Sequence, residues 1–280
     1  MNSNLSKTGV FEPLHAAHAI DQVQIAINLA QPLDDAKFKA VREAMQAFAQ
    51  DLPGLAEIQR VSFGFGPAVG FANAGNVPAV PNGFVMHRVA PNGAVESEVT
   101  ITPQSITFRT TVYTRWDKVW EQFGKYLKAI IGIYAANAPL LQVVLTYIDK
   151  FVWNGLSADC QPKLLLRMGS PYICPHAFEI SDMWHVHTGA FIVADSQTKR
   201  LMNINIDCLD EQTINNVRRI VGITTTLTDI FNQIGFDEFQ LSENDAFEKL
   251  QDRLTMLHTK SKELFKAVIS DEICNRIDLS

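Results

Sequence analysis

Only four cysteines occur in the 280 residues, Cys160, Cys174, Cys208 and Cys274. No two stand as C-x-x-C, which excludes a zinc knuckle and a thioredoxin-type motif. Scattered thiols of this kind suit a reducing cytosol. Charge is also scarce: 19% of residues are charged and the formal net charge is −6. The chain therefore has no basic field to hold a phosphate backbone, so nucleic acid is disfavoured as a partner. No apolar run reaches the length of a membrane span. The opening MNSNLSKTGVFEP has one Lys and no apolar h-region. These absences predict a cytoplasmic protein with no membrane partner.

Catalytic signatures are missing as well. No G-x-S-x-G occurs, and no Cys sits in a nucleophile motif. Gly64, Gly66 and Gly70 in FGFGPAVG superficially resemble a phosphate cradle. Pro67 follows the second Gly, no Lys-Ser/Thr appears and no helix starts there, so the stretch reads as a loop. No cofactor is expected.

What is present is a core. Hydrophobic residues make up 47% of the chain, enough for a globular fold without staples. Residues 1–12 are patternless and are expected to form a flexible tail. IDQVQIAINL (20–29) alternates Val23, Ile25, Ile27 and Leu29 against polar neighbours, the period of a half-buried strand. The pattern then switches: Phe38, Val41, Met45, Phe48 and Leu52 recur at helical steps, with Asp34 or Asp35 placed to cap and Pro53-Gly54 to stop. RVSFGFG reads as a short strand, and 64–83 as a Gly/Pro/Asn-rich loop. FVMHRVA, ESEVTIT and SITFRTTVY read as a meander, with Phe108 and Arg109 on opposite faces.

A second helix follows from Thr114, which with Asp117 forms the pattern of a capping box. Its apolar stripe runs from Trp116 through Phe123 to Tyr134. LLQVVLTYIDKFVW reads as a buried strand, and 154–182 as irregular. AFIVADS and KRLMNINIDCLD read as a hairpin across Ser196-Gln197-Thr198, and the Thr-rich NNVRRIVGITTTLTDIFNQ as a strand rather than a helix. The last element, opened by Ser242 and Asp245, carries Phe247, Leu250, Leu254, Leu257, Ser261, Leu264 and Val268 as a seam with one polar interruption. If continuous to Arg276 it would reach roughly 50 Å, so a break near Ser270-Asp271 is expected. The seam fits a core-facing stripe better than its alternative, a homodimer contact for which Leu254→Glu would give a folded monomer.

Three places carry candidate chemistry. His185 and His187 in SDMWHVHTGAF leave a strand on one face. They can hold a metal only if a third ligand such as Asp207, Asp182, His176 or Cys174 converges. The competing reading puts Trp184 and Val186 in the core and both His at a rim. Asp149 is an acid in an apolar strand, a site residue if it lines a cavity, otherwise paired with a cation such as Arg109 or exposed. Arg109, Arg115, Arg218 and Arg219 are the phosphate contacts of an alternative, sheet-based nucleic-acid reading.

Trp120-Glu-Gln-Phe123, LTYIDKF (145–151), LMNINID (201–207) and LTMLHTKSKELFKAVISDEI (254–273) together resemble a sporadically distributed bacterial family of conserved hypothetical proteins. Its members show an aromatic-bearing helix, an R-Y-I-N strand, an L-D-I-D strand, then L-H and a late Phe before I-[ST]-x-E. Here Thr146 replaces the Arg, Asp149 the Asn and Asn203 the first Asp. The resemblance implies a cytosolic bacterial or mobile-element protein, an accessory of an antiviral defence or toxin–antitoxin system. It implies no established activity.

The element order predicts an α+β fold with antiparallel sheet or sheets and long amphipathic helices on one face. Halves 13–138 and 139–280 are expected to pack intimately, an order that also admits a diverged duplication of a β-α-β(n)-α unit. The expected function is non-enzymatic binding of a protein partner or small ligand at the concave side, loop 64–83 and segment 154–182. The binding candidates are Trp184, His185, His187, Asp149 and Arg109. A metal-dependent hydrolase using His185, His187 and Asp207 is the alternative.

Overall fold

The period-two runs pair into one antiparallel sheet. A computed structural model describes residues 9–59, 81–212 and 217–279. Its strands are β1 (Phe11–Pro13), β2 (Ile20–Leu29), β3 (Gly54–Gln59), β4 (Pro81–Val89), β5 (Val95–Thr102), β6 (Ser105–Thr110), β7 (Leu140–Trp153), β8 (Trp184–Asp195), β9 (Thr198–Gln212) and β10 (Val217–Phe231). The helices are α1 (Asp35–Met45), α2 (Trp116–Ala135), α3 (Ala246–Val268) and α4 (Asp271–Arg276). Neighbours run β3-β4-β5-β6-β2-β7-β10-β9-β8, and β1 adds to β7. The class is α+β with a mostly antiparallel sheet. Both halves of the chain contribute to it, meeting where β2 pairs β7.

Register fixes the faces. Ile25 lies opposite Leu145, and Leu145 opposite Leu227, so these buried residues share one side. Gln24, Arg109, Thr146, Thr226 and Asn203 occupy the other side and are only partly buried. Helices cover the apolar side. Phe108 stacks on Phe123 of α2 at 5.4 Å, and Phe48, just past α1, meets Tyr126 edge-on at 5.0 Å. Trp120 of α2 meets Phe247 of α3 at 5.6 Å. Leu250, Leu254, Leu257, Ser261, Leu264 and Val268 of the seam are all buried in this chain's own core. Each buried Leu contributes about 1.5–3 kcal/mol by transfer from water. Among the described residues no helix is long and apolar enough to cross a membrane.

Several local expectations shift. Phe11 and Glu12 were expected in a tail but form β1, because Phe11 buries its ring 5.0 Å from Trp153. RVSFGFG and residues 64–80 of the Gly-rich loop lie outside the described residues, and 81–83 open β4. Asp34 caps α1 by accepting from Lys37 N at 2.9 Å. The capping box at Thr114 does not form. α2 starts with Arg115 as its N-cap, which moves Asp117 out of the position the box needs. At α3 half a box survives, with Asp245 accepting from Ser242 N at 2.8 Å. α3 ends at Val268, and Ser270 caps α4 through Ile273 N, so the expected break is there.

Candidate functional site

β7 brings the site together. Tyr147 and Asp149 alternate with partly buried residues and face the helix side between Leu145 and Phe151. Ile20 of β2 and Ile223 of β10 flank Asp149 in register. Above them the layers do not close, leaving a cavity of about 390 Å³. That lies within the size range of small-ligand sites. Tyr147, Asp149 and Thr225 come from the sheet; Tyr113, Arg115, Trp116 and Asp117 from the approach to α2 and its first turn. His258, Ser261, Lys262 and Phe265 of α3 line the opposite wall, with His18 from the segment before β2.

Most polar groups inside are paired. His258 Nδ1 and the Tyr147 hydroxyl share a hydrogen bond of 2.8 Å. Trp116 stacks parallel to the His258 ring at 4.7 Å. Thr225 and Ser261 hydroxyls share a 3.2 Å hydrogen bond. His18 donates from Nε2 to the Tyr113 carbonyl at 3.0 Å, while its Nδ1 is buried without a partner.

Asp149 is different. It is 4% exposed, and among the described residues it makes no hydrogen bond or ion pair. Burial alone pushes its carboxyl up to about 8, so at neutral pH it is mostly protonated. Burial, then the Lys262 charge, pushes His258 down to about 4, with Asp117 opposing. Burial is the main cause that lifts Tyr113 to about 12 and Tyr147 well above its usual value; the Asp149 carboxylate adds to both. His18 falls below its usual value through burial, then through neighbouring His15. The interior is thus uncharged at pH 7, and the charges sit at the mouth. There Arg115 and Lys262 are exposed and, among the described residues, make no ion pair; Asp117 is the lone acid.

The candidates from sequence separate. Asp149 lines a cavity, and the expectation that it pairs with Arg109 or faces water is overturned. Arg109 has the opposite parity to Phe108, leaves the other face of the sheet, and binds Glu98 at 3.2 Å and Gln22 at 3.3 Å. Trp184 is buried on the helix side with Nε1 unpartnered. His185 and His187 are exposed on the reverse face, beside a more open depression of about 520 Å³ edged by Pro171–Pro175. His185 Nδ1 lies 2.7 Å from Asp207, whose other oxygen accepts from Asn205 at 2.8 Å. Among the described residues no three His, Cys, Asp or Glu side chains are disposed to hold a metal, so His185, His187 and Asp207 do not form that site. The five binding candidates therefore do not converge. Arg218 pairs with Glu211 and Arg219 with Asp210, which leaves neither free for phosphate.

Tyr113, Trp116, Tyr147 and His258 were not singled out from sequence. Tyr147 and His258 do lie inside the Y-I-D and L-H stretches that carry the family resemblance, and that was the available sign. No family model and no curated protein matches the chain.

Proposed function

We propose that this chain is a non-enzymatic binding protein whose small-molecule ligand occupies the cavity at Asp149. One observation carries the reading: a carboxyl group buried on the helix side of β7 lines open volume and has no partner within the described chain. A carboxyl that lines a cavity and takes no hydrogen bond from the chain keeps its bonding capacity for whatever enters the cavity. A ligand that brings a donor fills it.

The placement supports the reading. We take the two halves to be diverged copies. In each, the first strand lies beside the last (β2 by β6, β7 by β10), and a long amphipathic helix follows the last strand. The cavity lies at their junction, where β2 meets β7 and the start of α2 meets α3. Ligand sites favour such junctions. In an accessory of a bacterial defence or toxin–antitoxin system, the role suggested by the family resemblance, occupancy would govern contact with a protein partner.

The test is native mass spectrometry of protein purified without denaturant, followed by thermal shift against a chemically broad metabolite library. A stoichiometric adduct or a saturable rise in Tm, lost in Asp149→Asn, is expected. Failure of every compound to shift wild type, with no adduct, overturns the proposal.

A further inference from the structure

We propose that the cavity is built for a small zwitterion, with a primary ammonium group against Asp149 and an anionic group at the mouth between Arg115 and Lys262. This rests on the cavity being a ligand site, and it adds the chemistry of the ligand.

The hydrogen-bond inventory points to a donor-rich ligand. The hydroxyls in the cavity have partners, Tyr147 with His258 and Thr225 with Ser261, although the second pair keeps one hydroxyl proton to spare. The group that takes nothing from the chain is the Asp149 carboxyl, an acceptor at the floor of the cavity. A protonated Asp149 could give its single proton to a ligand oxygen, but its carbonyl oxygen would stay bare. An ammonium group supplies three donors and a charge that ionises the acid. The resulting bond is charge-assisted, about twice as strong as a neutral one. Aromatic walls at Tyr113, Trp116, Tyr147 and Phe265 suit a cation and an apolar middle.

A bare cation would meet repulsion at the mouth from Arg115 and Lys262, which exceed the single acid Asp117 there. The mouth also holds the amino end of the 20-residue α2, whose N-cap offers no side-chain acceptor. Cations without partners beside a helix amino terminus favour an anion. One molecule carrying both charges satisfies both ends.

The charged and titratable groups around Asp149 leave it dominant between pH 6.5 and 8.5. β7 presents Tyr147, and the approach to α2 presents Tyr113, Arg115 and Asp117. α3 presents His258 and Lys262, and the segment before β2 presents His18 with the His15 ring tilted against it. The tyrosines are held up, and His258 and His18 are held down.

Calorimetry on the full chain would compare three molecules of matched ring and length: 4-(aminomethyl)benzoate, with its charges at opposite ends of the ring, 4-methylbenzylamine and 4-methylbenzoate. The zwitterion should bind tightest, the amine roughly tenfold weaker, and the carboxylate not measurably. Asp149→Asn should weaken both amines roughly tenfold or more. Arg115→Gln with Lys262→Gln should reduce the zwitterion to the level of 4-methylbenzylamine and leave 4-methylbenzylamine no weaker. In buffers of different ionisation enthalpy, amine binding at pH 7 should release close to one proton, falling towards zero above pH 8.5. A purely structural Asp149 would release none. Binding of 4-methylbenzoate as strong as that of the amines, amine binding unchanged in Asp149→Asn, or no binding by any of the three overturns the zwitterion. If neutral 4-methylbenzyl alcohol or a library compound still binds, the cavity survives as a ligand site; if nothing does, both readings fall.

Discussion

Replacing Asp149 with Asn should change how stability depends on pH. The carboxyl has an ordinary value of 3.8 and rises to about 8 in the folded chain. Between those values the folded state holds a proton that the unfolded state has released, so folding takes up a proton and stability falls as pH rises. Each pH unit costs about 1.4 kcal/mol. From pH 3.8 to pH 7 the loss amounts to about 4 kcal/mol, and it levels off above pH 8. Asn cannot ionise, so the variant lacks this slope. His258 and His18, both held low, act in the opposite sense: they cost stability as pH falls below the usual histidine value, equally in both proteins. Urea unfolding followed by circular dichroism from pH 5 to 8.5 gives the difference directly. The gap between Asp149→Asn and wild type should widen in favour of the variant by up to about 1.4 kcal/mol per unit until pH 8. The constant offset from burying an amide does not matter. Parallel stability curves would refute the picture of an unpartnered, desolvated acid.

Leu254→Glu should not yield a folded monomer, because Leu254 is fully buried in the chain's own core. A loss above about 4 kcal/mol, seen as insolubility or lost near-ultraviolet dichroism, is expected from an unpaired buried charge in place of packing. Arg200 and Asp229 form a bidentate pair, 4% and 0% exposed, at 2.6 and 3.0 Å. Arg200→Ala should cost about 3–5 kcal/mol by leaving Asp229 short of its main partner, whereas Arg200→Met with Asp229→Leu should recover most of it in urea melts. His185→Ala removes only an exposed contact to Asp207 and should change stability by less than about 1 kcal/mol. Zinc titration should leave the Tm of that variant and of wild type equally unmoved.

Local pattern carried most of the fold. β2, β7 and β9 were legible because alternation is a property of adjacent residues, and α3 because its seam repeats within one element. Parity also held part of the answer for Asp149 and Arg109: one falls on the apolar side of its strand with Tyr147 and Phe151, the other opposite Phe108. Once β6 and β7 join one sheet on either side of β2, those faces cannot meet, and that pairing, which rules out the ion pair, is long-range information. The Thr114 box failed for a smaller reason, a helix start displaced by one residue. The meeting of Tyr147 with His258 was not legible, since 111 residues separate them and no local rule says which part of α3 lies over which row of the sheet.

The polar interruption in the seam acquires a meaning from this geometry. Ser261 is the one hydroxyl in a stripe otherwise filled by Phe, Leu and Val, and its position on α3 meets Thr225 of β10. Both line the same gap as Asp149 of β7. Three elements that are apolar on their inner faces each place a small or polar residue where the layers would otherwise close. Selection for packing alone favours filling such a volume, because an empty cavity costs about 24 cal/mol per Å³. Any one of the three substitutions could be a local accommodation. Their convergence on one volume, with the serine and threonine paired to each other and the acid left without a partner, places the demand at Asp149, and that demand is for a donor the described chain does not supply.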